Sequence, residues 1–431
     1  MLDEFQPQVT QPLAKGHQLS HEADQTRPQE GLKLGAIPAA FWRTGAYFTL
    51  PYYMKRRGAH RRSSVPAPTA SLGGVAGVLA DELVLAGFKI TRNPPTSDAW
   101  QRITSEVSDA IISFHDQGWI LEPQTYHLSP VVPADATAHR VKKWESLGLR
   151  WEQLRWTSDW TPHGDQPGAD RWLGYEHNER ASAWVLRHRG DTPRHWAVLV
   201  HGTEQGRLLV DQMVFRARQL HHELGCNVVM PLLPLHASRR AHDPTGSGFP
   251  TLDVMDNIHG LAQSAYDVRC LLAWIREQEP TGVSLTGLSL GGYVAALVAG
   301  LEGPLDAVVG LVPAVDFPEV FRRQTPKQMR NNEMLIKLNE ASRVLHSVVS
   351  PLSFKPGTPP ERLHILAGLH DRLLDPRSQA ARLGDHWGTT NVTWVERGHV
   401  THLLSSELGK VLTAAVSAVS DGSEGSITPP T

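Results

Sequence analysis

Val283-Ser284-Leu285-Thr286-Gly287-Leu288-Ser289-Leu290-Gly291-Gly292 is an apolar run, then a tight turn, then the start of a helix that continues in small residues through Gly300. A G-x-S-x-G set between a strand and a helix holds its serine in a strained conformation at the strand tip. The turn closes only if the residues two before and two after the serine carry almost no side chain, which gives Gly287 and Gly291 a steric task. The turn also aims the first N–H groups of the new helix at the serine, where an oxyanion could form. A bare G-x-S-x-G arises by chance in very roughly one chain in ten of this length, so the strand and helix around it carry the weight.

Outward from that turn, continuous apolar runs alternate with helical stretches. The runs cover 196–200, 228–233, 283–285, 307–312, 363–367 and 392–395, and the helical stretches 208–224, 252–275, 291–299 and 376–383. Apolar strands alternating with helices predict an α/β fold with a buried, mainly parallel sheet covered on both faces. Two partly alternating segments, 149–156 and 181–187, read as an antiparallel pair ahead of it. Ligands of such sheets bind beyond the carboxyl ends of the strands.

Each chemically suggestive residue falls at one of those ends. The run 196–200 enters His201-Gly202-Thr203-Glu204, where a glycine lets backbone approach a substrate and the N–H of Thr203 can join that of Leu290 as an oxyanion donor. The plain alternative is a strand-ending turn, and Glu204 is out of place there unless it points away. A serine nucleophile needs a base, and the base needs a carboxylate. The last strand ends in Arg397-Gly398-His399, with His402 one helical turn on as a competitor. The strand 363–367 ends in Gly368-Leu369-His370-Asp371, and Asp371 has no structural role in view. Asp375 before Pro376 reads as a helix N-cap, and Asp316 is an outside candidate for the acid.

The rest of the chain sets bounds. With 431 residues, 40% hydrophobic, 20% charged and a net charge of −2, it has the composition of a soluble globular protein and no basic bias toward nucleic acid. Its two cysteines, Cys226 and Cys270, read as buried thiols of a reducing compartment. The N-terminus lacks a signal-peptide pattern, and no apolar stretch is long enough to span a bilayer; the run 72–90 is broken by Asp81 and Glu82. A cytoplasmic location follows as the expectation. Histidines are scattered without metal-ligand spacing, and neither a metal nor an organic cofactor is called for. Residues 1–36 read as a flexible arm, 37–147 as an N-terminal helical region with helices over 75–88 and 99–114, and 421–431 as a loose tail.

In the order Ser289, Asp371, His399, over residues 148–420, the chain resembles the α/β-hydrolase superfamily. Within it the chain is similar to the α/β-hydrolase domain-containing 18-like group, through residues 286–292, the Gly398-His399 ending with Leu403, and Met230-Pro231-Leu232-Leu233-Pro234 followed by Arg239-Arg240. The superfamily resemblance implies an eight-stranded sheet and hydrolysis of an ester, thioester or amide by a Ser289–His399–Asp371 triad, supported by the turns His201-Gly202 and Gly287–Gly291. An acyltransferase and a non-catalytic binding protein of the same fold are the rival readings.

Two further segments bear on the substrate. The insertion 316–360 carries Phe317, Phe321, Met329, Met334, Leu335, Leu338 and Leu345 beside Arg322, Arg323, Lys327 and Arg330, and occupies the place where this fold commonly holds a lid. A small-molecule acyl ester or lipid is the substrate class this suggests; a cap packed for stability is the alternative. Aromatics from Phe41 to Tyr53 run into basic residues through Arg62, a pattern for peripheral membrane contact through 41–62, or for an aromatic segment packed beside a solvated loop.

Overall fold

The computed structural model describes residues 35–61, 63–92, 95–142, 146–240, 249–325 and 329–417. The tail over 421–431, Arg62, Lys327 and all of the expected arm but Gly35 and Ala36 lie outside them.

Nine strands form one sheet in the order β1-β2-β3-β5-β4-β6-β7-β8-β9. They are β1 (Thr137–Arg140), β2 (Trp151–Thr157), β3 (Arg180–Leu186), β4 (His195–Val200), β5 (Asn227–Pro231), β6 (Gly282–Leu288), β7 (Ala307–Leu311), β8 (Leu363–Gly368) and β9 (Val392–Val395). From β5 onward along the sheet all neighbours are parallel, while β1, β2 and β3 pair antiparallel at the other side. Every residue of β4, β6 and β7 is buried, which is why these strands read as unbroken apolar runs. This is an α/β-hydrolase fold. The sheet has nine strands where the resemblance implies eight. The additional β1 is a short, fully exposed edge strand of polar residues, Thr-Ala-His-Arg, with no hydrophobic run to announce it.

The helices are α1 (Ala36–Tyr47), α2 (Leu50–Arg61), α3 (Leu72–Thr91), α4 (Ser97–Asp116), α5 (Ala169–Leu173), α6 (Leu208–Val214), α7 (Val254–Arg276), α8 (Leu290–Leu301), α9 (Phe317–Gln324), α10 (Glu333–His346), α11 (Ala380–Trp387) and α12 (Ser406–Ser417). One core cluster joins α4, α7 and α8 to one sheet face, and a second places α6 and α12 against the other. Two expected helices are shorter than their patterns. The stretch 208–224 breaks after Val214, where Arg216 takes φ +51°. The stretch 376–383 starts as a helix only at Ala380; the Asp375 carboxylate accepts from Arg377 N and Ser378 N in a preceding turn.

In the insertion, Asp316 caps α9 by accepting from Glu319 N, and Phe317 stacks on Tyr293 of α8 with ring centroids 4.8 Å apart. α10 packs on α4 and α9. No described helix is long and apolar enough to cross a membrane.

Candidate active site

β6 runs directly into α8 through Ser289, whose φ of 55° and ψ of −110° lie outside the region comfortable for a side-chain-bearing residue. Ser289 N donates to Leu311 O of β7, and Ser289 O accepts from Ala314 N and Tyr293 N, so both neighbours of the turn hold the strain in place. The glycines answer to backbone. A Cβ on Gly287 would stand 2.0 Å from Gly291 O, and one on Gly291 would stand 2.0 Å from Val200 O at the end of β4.

Three strand ends converge on the serine. Ser289 Oγ donates to His399 Nε2 at 3.0 Å, and His399 Nδ1 donates to Asp371 Oδ2 at 2.7 Å. The other oxygen of Asp371 accepts from Leu373 N at 2.9 Å and Leu374 N at 2.7 Å, which fixes the carboxylate's orientation. His399 and Asp371 are buried. Burial works against the imidazolium of His399, but the carboxylates of Asp371 and Asp81 outweigh it and the pKa is raised above the ordinary value.

The competitors have other work. His402 is buried, its Nδ1 donates to the His399 carbonyl, and burial pushes its pKa down to about 3. Asp316 is engaged by Arg343 and Arg382, each at 2.6 Å. Asp375 pairs with Arg323 at 2.9 Å and Arg377 at 3.1 Å.

On the β4 side, the Cβ of Ser289 lies 3.4 Å from where a Cβ on Gly202 would be. Gly202 N donates to Gln205 Oε1 at 2.7 Å, and among the described residues nothing accepts from the N–H of Thr203 or of Leu290. Glu204 does point away: at φ +63° it reaches Arg92, the C-cap of α3, at 3.0 Å and Arg240 at 3.1 Å. His201 is buried, with Nδ1 donating to Gly202 O and Nε2 accepting from Leu233 N. Burial drives its pKa down to about 3, so it is a neutral brace of the turn. No three His, Cys, Asp or Glu residues among those described are grouped to hold a metal ion.

Two proteins of Mycobacterium tuberculosis, one from strain CDC 1551 / Oshkosh and one from strain H37Rv, are each 36% identical to this chain over 398 residues, covering 92% of it and 94% of the relative. This chain belongs to their family. Both members are described only as uncharacterized, and no family model matches the chain. Among solved structures, the acetyl xylan esterase of Paenibacillus sp. R4 is 14% identical with a TM-score of 0.47, covering 68% of this chain and 98% of that one. The Pyrococcus furiosus esterase Pf2001 is also 14% identical with a TM-score of 0.43 and the same coverage. The fold assignment rests on this chain's own strand order and turn geometry.

For this family member, sequence reasoning missed Asp81 and Glu82. Both are buried on α3 and both reach the site's loops: Asp81 accepts from His399 N, and Glu82 pairs with Arg372, next to Asp371. The signal was present, since two adjacent acids interrupt an otherwise apolar helix. Nothing local said what they face, because their partners in the site's loops lie some 290 to 320 residues downstream.

Proposed function

We propose that this protein is a serine hydrolase that cleaves a carboxylic ester, thioester or amide through an acyl-enzyme. The observation that carries the reading is the continuous hydrogen-bonded series from Ser289 Oγ through His399 to Asp371. In this reading His399 Nε2 takes the serine proton as Oγ attacks the carbonyl carbon, and Asp371 stabilises the imidazolium that forms. The N–H groups of Leu290 and Thr203 bind the oxyanion. His399 then protonates the leaving group, and a water activated by the same nitrogen releases the acid. The outward-held Glu204 keeps its charge from opposing the oxyanion.

A hydrophobic acyl substrate is the finer proposal. It is supported by the apolar side of the insertion, where Phe317 and Phe321 stack from α9 toward Tyr293. We also propose the division into an N-terminal helical region over 37–147, which lends β1 to the sheet, and a hydrolase domain over 148–420, and membership of the α/β-hydrolase domain-containing 18-like group. That membership rests on the short matches quoted above. One of them, Arg239, is a buried strut, donating to Leu232 O at 2.8 Å and Asn178 O at 2.7 Å and pairing with Asp267 at 2.8 Å.

The test is covalent labelling by a fluorophosphonate, read by intact mass, on wild type, Ser289→Ala and His399→Ala. One adduct on wild type that is absent from both variants is expected. No adduct on folded wild type would overturn the hydrolase reading in favour of a binding protein that keeps the fold.

A further inference from the structure

Asp81 lies in the middle of α3, fully buried, and among the described residues no Lys or Arg side chain pairs with its carboxylate. Leaving an ion unpaired in the interior costs several kcal/mol unless hydrogen bonds replace its water. Here they come from backbone N–H groups of two loops. Oδ2 accepts from Arg372 N at 2.9 Å and His399 N at 2.7 Å, and Oδ1 accepts from Val400 N at 3.0 Å. One donor therefore follows Asp371 directly, one is the backbone of His399 itself, and one follows His399. Such charge-assisted bonds are the strong ones.

The contact is close as well as polar. Gly77, one helical turn before Asp81, is pressed against the histidine loop: a Cβ there would stand 2.4 Å from Gly398 N. A Cβ on Gly398 would meet Gly77 O at 2.5 Å and Asp81 Oδ2 at 2.7 Å. Around this contact Glu82 holds Arg372 and Arg43, each at 2.9 Å. His370 bridges Glu396 at 2.7 Å and Tyr47 of α1 at 3.1 Å.

We infer that Asp81 is a positioning residue of the Ser289–His399–Asp371 site, a carboxylate on an N-terminal helix that fixes the acid loop and the histidine loop against each other. The inference rests on the hydrolase reading for its kinetic consequences. Asp81 touches no reacting atom; it acts by holding the His399 backbone and by its charge. The groups facing it are Asp371 and Arg372 on one loop and His399 on the other, with His402 behind His399, while Glu82 beside it on α3 turns to the arginines. Its negative charge favours the His399 cation, and burial, together with the charge of Asp371, raises its own pKa to about 7.

The test compares full-length wild type with Asp81→Asn and Asp81→Glu, by fluorophosphonate labelling rate, ester kinetics against pH, and NMR titration of the His399 ring. Asp81→Asn removes the charge and one acceptor. It should lower kcat and the labelling rate by up to about 100-fold, the cost of misplacing reacting groups by about 1 Å. KM should stay within about twofold, and the acid limb and the His399 titration should both move to lower pH. Asp81→Glu keeps the charge but displaces the oxygens, so its rate should fall while the acid limb stays in place; it carries the test if Asp81→Asn does not fold. If wild type takes no label yet Asp81→Asn still moves the His399 titration downward, the hydrolase reading falls and the positioning role stands. A lowered melting temperature with rate, acid limb and titration all as in wild type would reduce Asp81 to a structural anchor and overturn the inference.

Discussion

His399 stands between opposing pressures. Burial disfavours its cation, while Asp371 at 2.7 Å and the nearby Asp81 favour it, and the carboxylates prevail. In the proposed mechanism His399 is the base and works only when neutral. Activity is therefore present above the raised pKa and is lost as pH falls through it, so the acid limb of kcat/KM should lie above the ordinary imidazole value of about 6.5. Asp371→Asn removes the larger of the two raising influences. It should move that limb to lower pH and cut kcat by about 10⁴-fold, as expected when the base loses its orienting carboxylate. A pH–rate profile of both proteins on one ester checks this, and an unmoved limb would show that Asp371 does not govern His399. The same geometry separates His399 from His402. Both lie after β9 and both are buried, but the ring of His402 turns its Nδ1 to the His399 carbonyl and so supports the loop from behind.

At the scale of elements, the legible parts are those whose chemistry is local. The turn between β6 and α8 could be read because its glycines are forced by atoms of the turn itself and of β4 beside it. The strand-end positions of Asp371 and His399 could be read because apolar runs end where loops begin. What α3 does could not be read, since Asp81 is matched to backbone N–H groups that leave no side-chain signature and Glu82 to arginines far from it in sequence. The same holds for Arg239, which looks like half of a surface Arg-Arg pair and is in fact buried between the end of β5 and Asp267 of α7. Asp267 in turn accepts from Ser158 Oγ at 2.6 Å. Arg239→Met removes one partner of a buried ion pair and leaves the other uncompensated. Urea unfolding should show a loss of about 3–5 kcal/mol. A loss near zero would mean that Asp267 becomes protonated without penalty, a route open to it because burial already raises its pKa.

For the whole molecule, the N-terminal helices α1 and α2 carry both buried and exposed aromatic residues. Tyr47 and Tyr53 are buried, with Arg56 4.7 Å from the Tyr47 ring centroid and Arg57 5.9 Å from that of Tyr53. These residues are the packed aromatic part of the segment. Trp42 at 78%, Leu50 at 72% and Phe41 at 56% are exposed on the same two helices, where Glu82 of α3 pairs with Arg43 but α1 and α2 themselves contain no acidic residue beside Lys55, Arg56 and Arg57. Apolar side chains beside the positive charge of Lys55, Arg56 and Arg57 suit an anionic lipid surface, where each Lys or Arg is worth about 1 kcal/mol. The proposed membrane contact makes a graded prediction. The full-length protein should sediment with phosphatidylserine vesicles but not with phosphatidylcholine vesicles at low salt, and the binding should weaken toward 0.5 M salt as screening shortens the Debye length to a few ångströms, about 3 Å at 1 M. Trp42→Ala should weaken binding at every salt concentration. Lys55→Glu should act chiefly at low salt, because only its share is electrostatic. Equal indifference to both lipids would remove the membrane from the reading and leave the exposed residues of α1 and α2 without that partner. A hydrolase with a dry acyl substrate would then have to draw it from solution.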